Sequence, residues 1–220
     1  MNIIPASFYA GDGKLSAVQR VVELVLGRIR SGEYVPGQMI VAQDLMNELA
    51  ISKAPVREGI HVLVGEGVME LLANRSARIR KLSNKDLRDF TEAWGVIGGL
   101  NMRLATEHAG SKGNRRRIEQ ALKRIERTGD SRVPFDFFVA VADLHQTLAD
   151  ISGNSYIRTI ISRAHFAHFH RHIERAFPGP YWEQHLSVFR RIGEALLSGD
   201  GEQAERIFRK HIRWTLGVMK

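Results

Sequence analysis

Between residues 68 and 80 apolar and polar side chains alternate with period two, whereas on both sides of this stretch apolar residues recur every three or four positions. That change of period constrains the fold more than any other feature, because it embeds one short hairpin in an otherwise helical chain. Val68, Glu70 and Leu72, then Ala77 and Ile79, alternate around a turn at Asn74-Arg75-Ser76. Upstream, Ser16-Ala17-Val18-Gln19 has the spacing of a capping box, and Val18, Val21, Val22, Val25, Leu26 and Ile29 form one apolar stripe behind it. Gly32 ends that helix and Pro36-Gly37 makes a turn. Gln38 to Ile40 is long enough only for an edge strand. A second helix is predicted over about Ala42 to Leu49, with Leu45 and Leu49 inward, and a third opens at Ser52 as its cap. Pro55 lies in the third helix's first turn, where its missing N–H costs nothing, and Gly65 and Gly67 end it. Two helices at a short turn, followed by a hairpin, describe a winged helix-turn-helix.

From Ser83 onward the pattern is helical only. Six helices are predicted, over about Lys85–His108, Arg115–Thr128, Phe135–Ile151, Tyr156–Ala176, Trp182–Leu197 and Glu202–Val218. The breaks between them carry Gly, Pro or Asn: Gly110 to Gly113, Gly129 to Pro134, Ser152-Gly153-Asn154, Pro178-Gly179-Pro180 and Gly199-Asp200-Gly201. The expected class is mainly α: a flexible tail over residues 1–15, a winged helix-turn-helix over 16–81, and an all-helical six-helix bundle over 82–220.

Composition removes several classes of function. With no cysteine, a disulfide scaffold, a thiolate nucleophile, a Cys-ligated zinc finger and an iron–sulfur cluster are excluded. No apolar run approaches the roughly 20 residues that span a bilayer, and the first residues do not read as a secretory signal, so a soluble cytoplasmic protein without membrane contact is expected. The net charge of +8 points toward nucleic acid, but it is unevenly placed. Residues 1–80 hold nine Lys/Arg against eight Asp/Glu, and residues 81–220 hold 23 against 16. A DNA-binding first part would therefore work through placed charges. Lys112 to Arg127, with seven basic and two acidic residues, reads as a solvated helix face.

In the third helix Val56, Ile60 and Leu63 lie at i, i+4 and i+7 and face the core, which puts Lys53, Ala54, Arg57 and His61 on the outer side. Lys and Arg at the N-terminal end of such a helix suit the major groove, where both reach guanine O6/N7 or phosphate. Arg78 and Arg80 on the hairpin are expected near the DNA backbone or minor groove. The segments Ile29-Arg30-Ser31-Gly32-Glu33-Tyr34-Val35-Pro36-Gly37, Leu45…Leu49-Ala50-Ile51-Ser52-Lys53-Ala54-Pro55-Val56-Arg57-Glu58 and Leu63…Glu66-Gly67-Val68 resemble the N-terminal domain of GntR-family bacterial transcription regulators. The helical remainder resembles the FCD-type domain of the FadR subfamily, through Leu144-His145 followed by Ser152-Gly153-Asn154, and Gly199-Asp200 followed by His211. Six helices resemble the VanR-like branch.

The resemblance implies a homodimeric regulator, a repressor or an activator, that binds a pseudo-palindromic double-stranded DNA operator and a small-molecule effector. Its contacting positions fall on Lys53, Ala54, Pro55 and Arg57. Gln43 stands where the family carries a contacting arginine, and Asn74-Arg75 occupies the wing tip without the usual glycine. Gly59 replaces an alanine and is expected to weaken its helix by up to about 1 kcal/mol.

FCD domains commonly hold a divalent metal with one Asp and three His. Here the Asp position is Val141, the middle His position is Phe189, and His145 and His211 match the remaining two. His185, one turn before Phe189, would reach the site only if its helix were displaced by about 5.4 Å. An Arg and a Glu that line the family pocket align with Trp94 and Gly98, which reads as one large ring and one void. The expected pocket is thus Trp94, Gly98, Val141, His145, Phe189 and His211. The expected metal site is degraded, leaving at most weakly bound zinc or nickel on His145, His185 and His211. His168 and His172 stand at i, i+4, a second spacing able to chelate. Two rivals remain: a small metal-dependent enzyme, although nucleophile, phosphate-loop and His-Glu-x-x-His motifs are missing, and an RNA-binding or interaction module using Lys112 to Arg127.

Overall fold

The computed structural model describes residues 15–73, 76–164 and 181–219, and it divides into two compact units, residues 1–82 and 83–220. In the first unit α1 (Ala17–Ser31), α2 (Ala42–Leu49) and α3 (Lys53–Gly65) pack beside a three-stranded antiparallel sheet of β1 (Met39–Ile40), β2 (Met69–Leu71) and β3 (Ala77–Ile79), in the order β1-β3-β2. Ser16 caps α1 with a full capping box: its Oγ accepts from the Gln19 N–H and its own N–H donates to Gln19 Oε1. The stripe behind it closes the core, with Val21, Val25 and Ile29 of α1 buried against Val56, Ile60 and Leu63 of α3. Full burial of each such side chain contributes about 1.5–3 kcal/mol.

Two local expectations change. Ser52 sits at the N-cap of α3, but its side chain makes no capping bond. Gly59 is not simply a weakened helix position. A Cβ there would lie 2.7 Å from Val21 Cγ1 and 3.3 Å from the Val18 carbonyl, so the missing side chain is what lets α3 approach α1. Arg28 then ties three elements together. It donates to Tyr34 Oη at 2.7 Å and pairs with Glu48 at 2.7 Å and Glu33 at 2.9 Å. Arg20 donates to the Leu49 carbonyl at 2.9 Å, at the end of α2, and Ala50 closes that helix in the left-handed conformation.

The second unit consists of α4 (Asn84–Thr106), α5 (Lys112–Ser131), α6 (Pro134–Ile151), α7 (Ser155–Ser162), α8 (Trp182–Ser198) and α9 (Gly201–Val218). The predicted helix over Tyr156–Ala176 is described only as α7; its later part, with His165, His168, His170 and His172, lies outside the described residues. Ser83 caps α4 reciprocally with Asp86, whose carboxylate takes the role usually played by Glu or Gln. α9 runs antiparallel along α4 at close range, because Gly95, Gly98 and Gly99 face Ile212, Phe208 and Arg209. Arg103 pairs with Glu205 at 2.8 Å, and Arg88 donates to the Leu216 carbonyl at 2.9 Å across the same contact.

Candidate DNA-reading surface and helical pocket

The reading surface is what α3 leaves outside once its apolar side is buried. Val56, Gly59, Ile60 and Leu63 are buried, while Lys53, Ala54, Arg57 and His61 are exposed and Pro55 is half-buried. Lys53 and Arg57 have no ion-pair or hydrogen-bond partner among the described residues, and the first turn of α3 carries no acid. A cation in the first turn of a helix, as Lys53 is, is unfavourable for the free chain by about 0.3–1 kcal/mol, and Arg57 stands one turn further in. Their placement makes physical sense when an anion arrives from outside. Gln43 is exposed on α2 and donates from Nε2 to Asn47 Oδ1 at 2.9 Å, so it is held against its own helix. Asn74 and Arg75 lie outside the described residues. Arg78 departs from expectation: Glu70 is its cross-strand partner, and its Nε donates to Glu70 Oε1 at 2.8 Å. The hairpin register, which sequence spacing left open, thus ties the guanidinium to the sheet.

In the helical unit five of the six predicted pocket residues fall into two groups, and Val141 is buried in the same core. Trp94 and Gly98 of α4 meet His145 of α6: the Trp94 and His145 rings stand edge to face at 4.6 Å, and Phe208 of α9 approaches His145 at 5.0 Å. Gly98 does not leave a void. A Cβ there would come within 2.7 Å of Phe208 and 2.9 Å of His145, so those two rings already occupy the space. Asn101, one turn along, donates to the His145 carbonyl at 2.8 Å. His145 is fully buried, and neither of its ring nitrogens meets a hydrogen-bond partner among the described residues; the same holds for Asn101 Oδ1. Burial pushes the His145 imidazole down to about 3, so the ring is neutral.

The second group brings α8 and α9 together with Phe137 of α6. His185 Nδ1 lies 3.1 Å from His211 Nε2, so His185 reaches His211 without any displacement of its helix. Positions 185 and 189 are one turn apart on one face, and the His211 ring meets both, with Phe189 at 6.1 Å. Trp214 stacks on His211 at 5.6 Å, and Phe137 lies 5.3 Å from His185. Burial pushes His185 down to about 4; burial, with His185 alongside, pushes His211 down to about 3. One imidazole therefore donates and the other accepts. Asn101, Phe137, Phe208 and Trp214 were missed in the sequence. The available signal was their spacing: Asn101 follows Gly98 by three positions, and Phe208 and Trp214 flank His211 by three on either side.

This donor set does not fit a three-ligand metal centre. Val141 and Phe189 supply no ligand, His185 and His211 bond each other, and His145 faces aromatic rings. Asp143, two positions from both Val141 and His145, is paired with Arg124 of α5 at 3.4 Å. No group of three His, Asp or Glu able to hold a metal occurs among the described residues.

A helix displaying unpaired cations beside a small wing, followed in the chain by a separate helical unit, has the make-up of a DNA-binding regulator. Residues 17–79 match the bacterial regulatory proteins of the gntR family, and residues 89–213 match the FCD domain. The chain belongs to the GntR family of transcription regulators, with the FCD-containing architecture of the FadR subfamily. It is 30% identical over 137 residues to the "Probable D-xylose utilization operon transcriptional repressor" of Paenarthrobacter nicotinovorans, a match covering 61% of this chain and 57%, little more than half, of that relative. It is 21% identical over 222 residues to the uncharacterized HTH-type transcriptional regulator BphR of Paraburkholderia xenovorans, covering 94% of this chain and 88% of that one. Its fold is shared with E. coli McbR/YncC at a TM-score of 0.76 and 13% identity, over 93% and 97% of the two chains. The family and both sequence relatives are transcription regulators, which favours neither the enzyme nor the RNA-module reading. No helix among the described residues is long and apolar enough to cross a membrane.

Proposed function

We propose that the protein is a cytoplasmic homodimeric repressor that reads a pseudo-palindromic duplex operator and is controlled by a small molecule bound in its helical unit. The domain limits we assign are 1–15 for the tail, 16–81 for the DNA-binding domain and 82–220 for the effector-binding and dimerisation domain. The observation that carries the reading is the pair Lys53 and Arg57, unpaired at the N-terminal end of α3 with no acid to offset them. Ala54, Pro55 and His61 complete the base-facing row, Gln43 supports it from α2, and the family resemblance adds Asn74 and Arg75 to the DNA-contacting set. The repressor role is in keeping with that named for the Paenarthrobacter relative. Two half-sites follow from a two-fold protein.

For the effector, the pocket of Trp94, Gly98, Val141, His145, Phe189 and His211 is neutral and ring-lined, so it suits a molecule less anionic or more aromatic than a small carboxylate. The unpartnered His145 nitrogens and Asn101 Oδ1 supply its polar contacts.

Selection of a binding site from a random duplex library, then titration of Arg57→Ala, tests the DNA reading. A loss of about 1–3 kcal/mol on the selected site, with little on random DNA, is expected if Arg57 pairs with guanine. Equal loss on both would reduce Arg57 to a phosphate contact, and absence of any selected sequence would end the regulator reading. Release of the selected DNA by a simple dicarboxylate, in a panel with neutral sugars and aromatic compounds, would refute the effector class. Sedimentation of residues 83–220 as monomer at micromolar concentration would refute dimerisation through the helical unit.

A further inference from the structure

The first unit carries little net positive charge, with ten Lys/Arg against eight Asp/Glu over residues 1–82, whereas the helical unit holds 22 Lys/Arg against 16 Asp/Glu over residues 83–220. The structure shows how part of that excess is displayed. Along α5, Ile118, Ala121, Ile125 and Thr128 are buried. On the opposite side of the helix stand Lys112, Arg116, Lys123 and Arg127, all exposed. At 100° per residue these four fall within about 60° of arc, and they extend over roughly 22 Å of helix axis. Gln120 and Glu119 border the gap between them, one on each side, and Asp130 falls on the same line at the C-terminal end of the row.

The helix sorts its cations by position. Those on its two shoulders are engaged within the bundle: Arg115 bonds Glu119 at 3.0 Å and the Leu197 carbonyl at 3.1 Å, Arg117 bonds Asp150 at 3.2 Å, and Arg124 pairs with Asp143 at 3.4 Å. Glu126 is held by Arg190. The four along the crest have no ion-pair or hydrogen-bond partner among the described residues. Lys112 with Arg116, and Lys123 with Arg127, are like-charge pairs at i, i+4, an arrangement that weakens an isolated helix. The crest therefore takes no part in the packing of the bundle.

We infer that this crest of α5 is a second, sequence-independent contact for duplex DNA, binding phosphates while α3 reads bases. Charge complementarity selects a polyanion, since a crest of two Lys and two Arg, bordered by polar residues and closed by Asp130, offers no apolar anchor for a bilayer and no aromatic ring on which single-stranded bases would stack. Duplex DNA is the polyanion the chain already engages, so the inference rests on the regulator reading for its choice of partner. Each phosphate neutralised releases counterions and steepens the salt dependence of binding by about 0.9 per contact in log–log form.

The test uses the full chain, with Lys53→Ala/Arg57→Ala to disable the reading helix, Lys112→Gln/Arg116→Gln/Lys123→Gln/Arg127→Gln to clear the crest, and the combination of both sets. Anisotropy of a labelled random-sequence duplex is followed from 50 to 200 mM KCl, with far-UV circular dichroism confirming that each variant is folded. Clearing the crest should make the log–log slope shallower by about 2–4 and weaken binding at low salt at least tenfold, in both the native and the reading-helix background. Affinity and slope unchanged within twofold would show a merely solvated face and overturn the inference. Loss confined to single-stranded RNA or to anionic phosphatidylserine vesicles would overturn it in favour of those partners. Since the crest is scored in both backgrounds on random DNA, its failure is distinguishable from failure of base reading by α3.

Discussion

Lowering the pH from 7.5 to 5.5 should destabilise the helical unit by several kcal/mol, because three of its histidines are buried as neutral rings. Burial pushes His145 and His211 down to about 3 and His185 to about 4, against 6.5 for an exposed imidazole. As pH falls below about 6.5 the unfolded chain takes up protons that the folded chain refuses, so stability drops on the acid side and continues to drop toward the folded values. At pH 5.5 each ring contributes a loss of about 1.4 kcal/mol, on the order of 4 kcal/mol for the three together. Asp143 works in the opposite sense. Burial raises its carboxyl to about 6 although Arg124 lowers it, so the folded state gains a proton before the unfolded state does. Asp143 is partly solvated, and its stabilising contribution at pH 5.5 stays below about 1 kcal/mol. The protein's three tryptophans, Trp94, Trp182 and Trp214, all belong to the helical unit. Urea melts followed by tryptophan fluorescence at both pH values therefore report this unit directly. The expected result is a lower midpoint at pH 5.5 with an unchanged slope, and a clearly smaller pH effect in His185→Phe/His211→Phe. Equal midpoints at the two pH values would refute the claim that the rings are buried and neutral.

Gly59→Ala should destabilise the first unit by about 1–3 kcal/mol through overpacking against Val21, despite alanine's better helix propensity; a gain in thermal stability would refute the close contact. Ala50→Gly should stabilise it by up to about 1 kcal/mol, because Ala50 holds φ +50° at the end of α2, and differential scanning calorimetry would show the shift. Purified protein should carry well under one equivalent of zinc or nickel by elemental analysis, since two neutral imidazoles bonded to each other make a poor site; tight stoichiometric metal on His145, His185 and His211 would refute this.

The parts of this molecule that were legible in its sequence are those decided within one helix or one turn. Ser16 with Gln19, and Ser83 with Asp86, set their helix starts through bonds three residues long. The outer row of α3 followed from the burial of Val56, Ile60 and Leu63, because a helix with one apolar side has its other side fixed by geometry. Ser52 shows the limit even there, since a capping residue type does not guarantee the capping bond. The pocket was less legible because it is defined by the mutual register of α4, α6, α8 and α9, which no local pattern encodes. Gly98 read as a void, yet its meaning is set by Phe208, more than a hundred residues away, and by His145. His185 read as one turn out of place because the matching assigned one residue to one site. In the folded unit His211 meets a whole helix face, and both His185 and Phe189 lie on it. Taken singly, Val141, Phe189, Trp94 and Gly98 are ordinary apolar residues in a bundle. Only when α9 brings Phe208 against Gly98 and His211 against Phe189 do they become one change of chemistry: a valine and a phenylalanine stand where a metal centre would need a carboxylate and a third imidazole, His185 and His211 turn to each other, and His145 turns to the rings of Trp94 and Phe208.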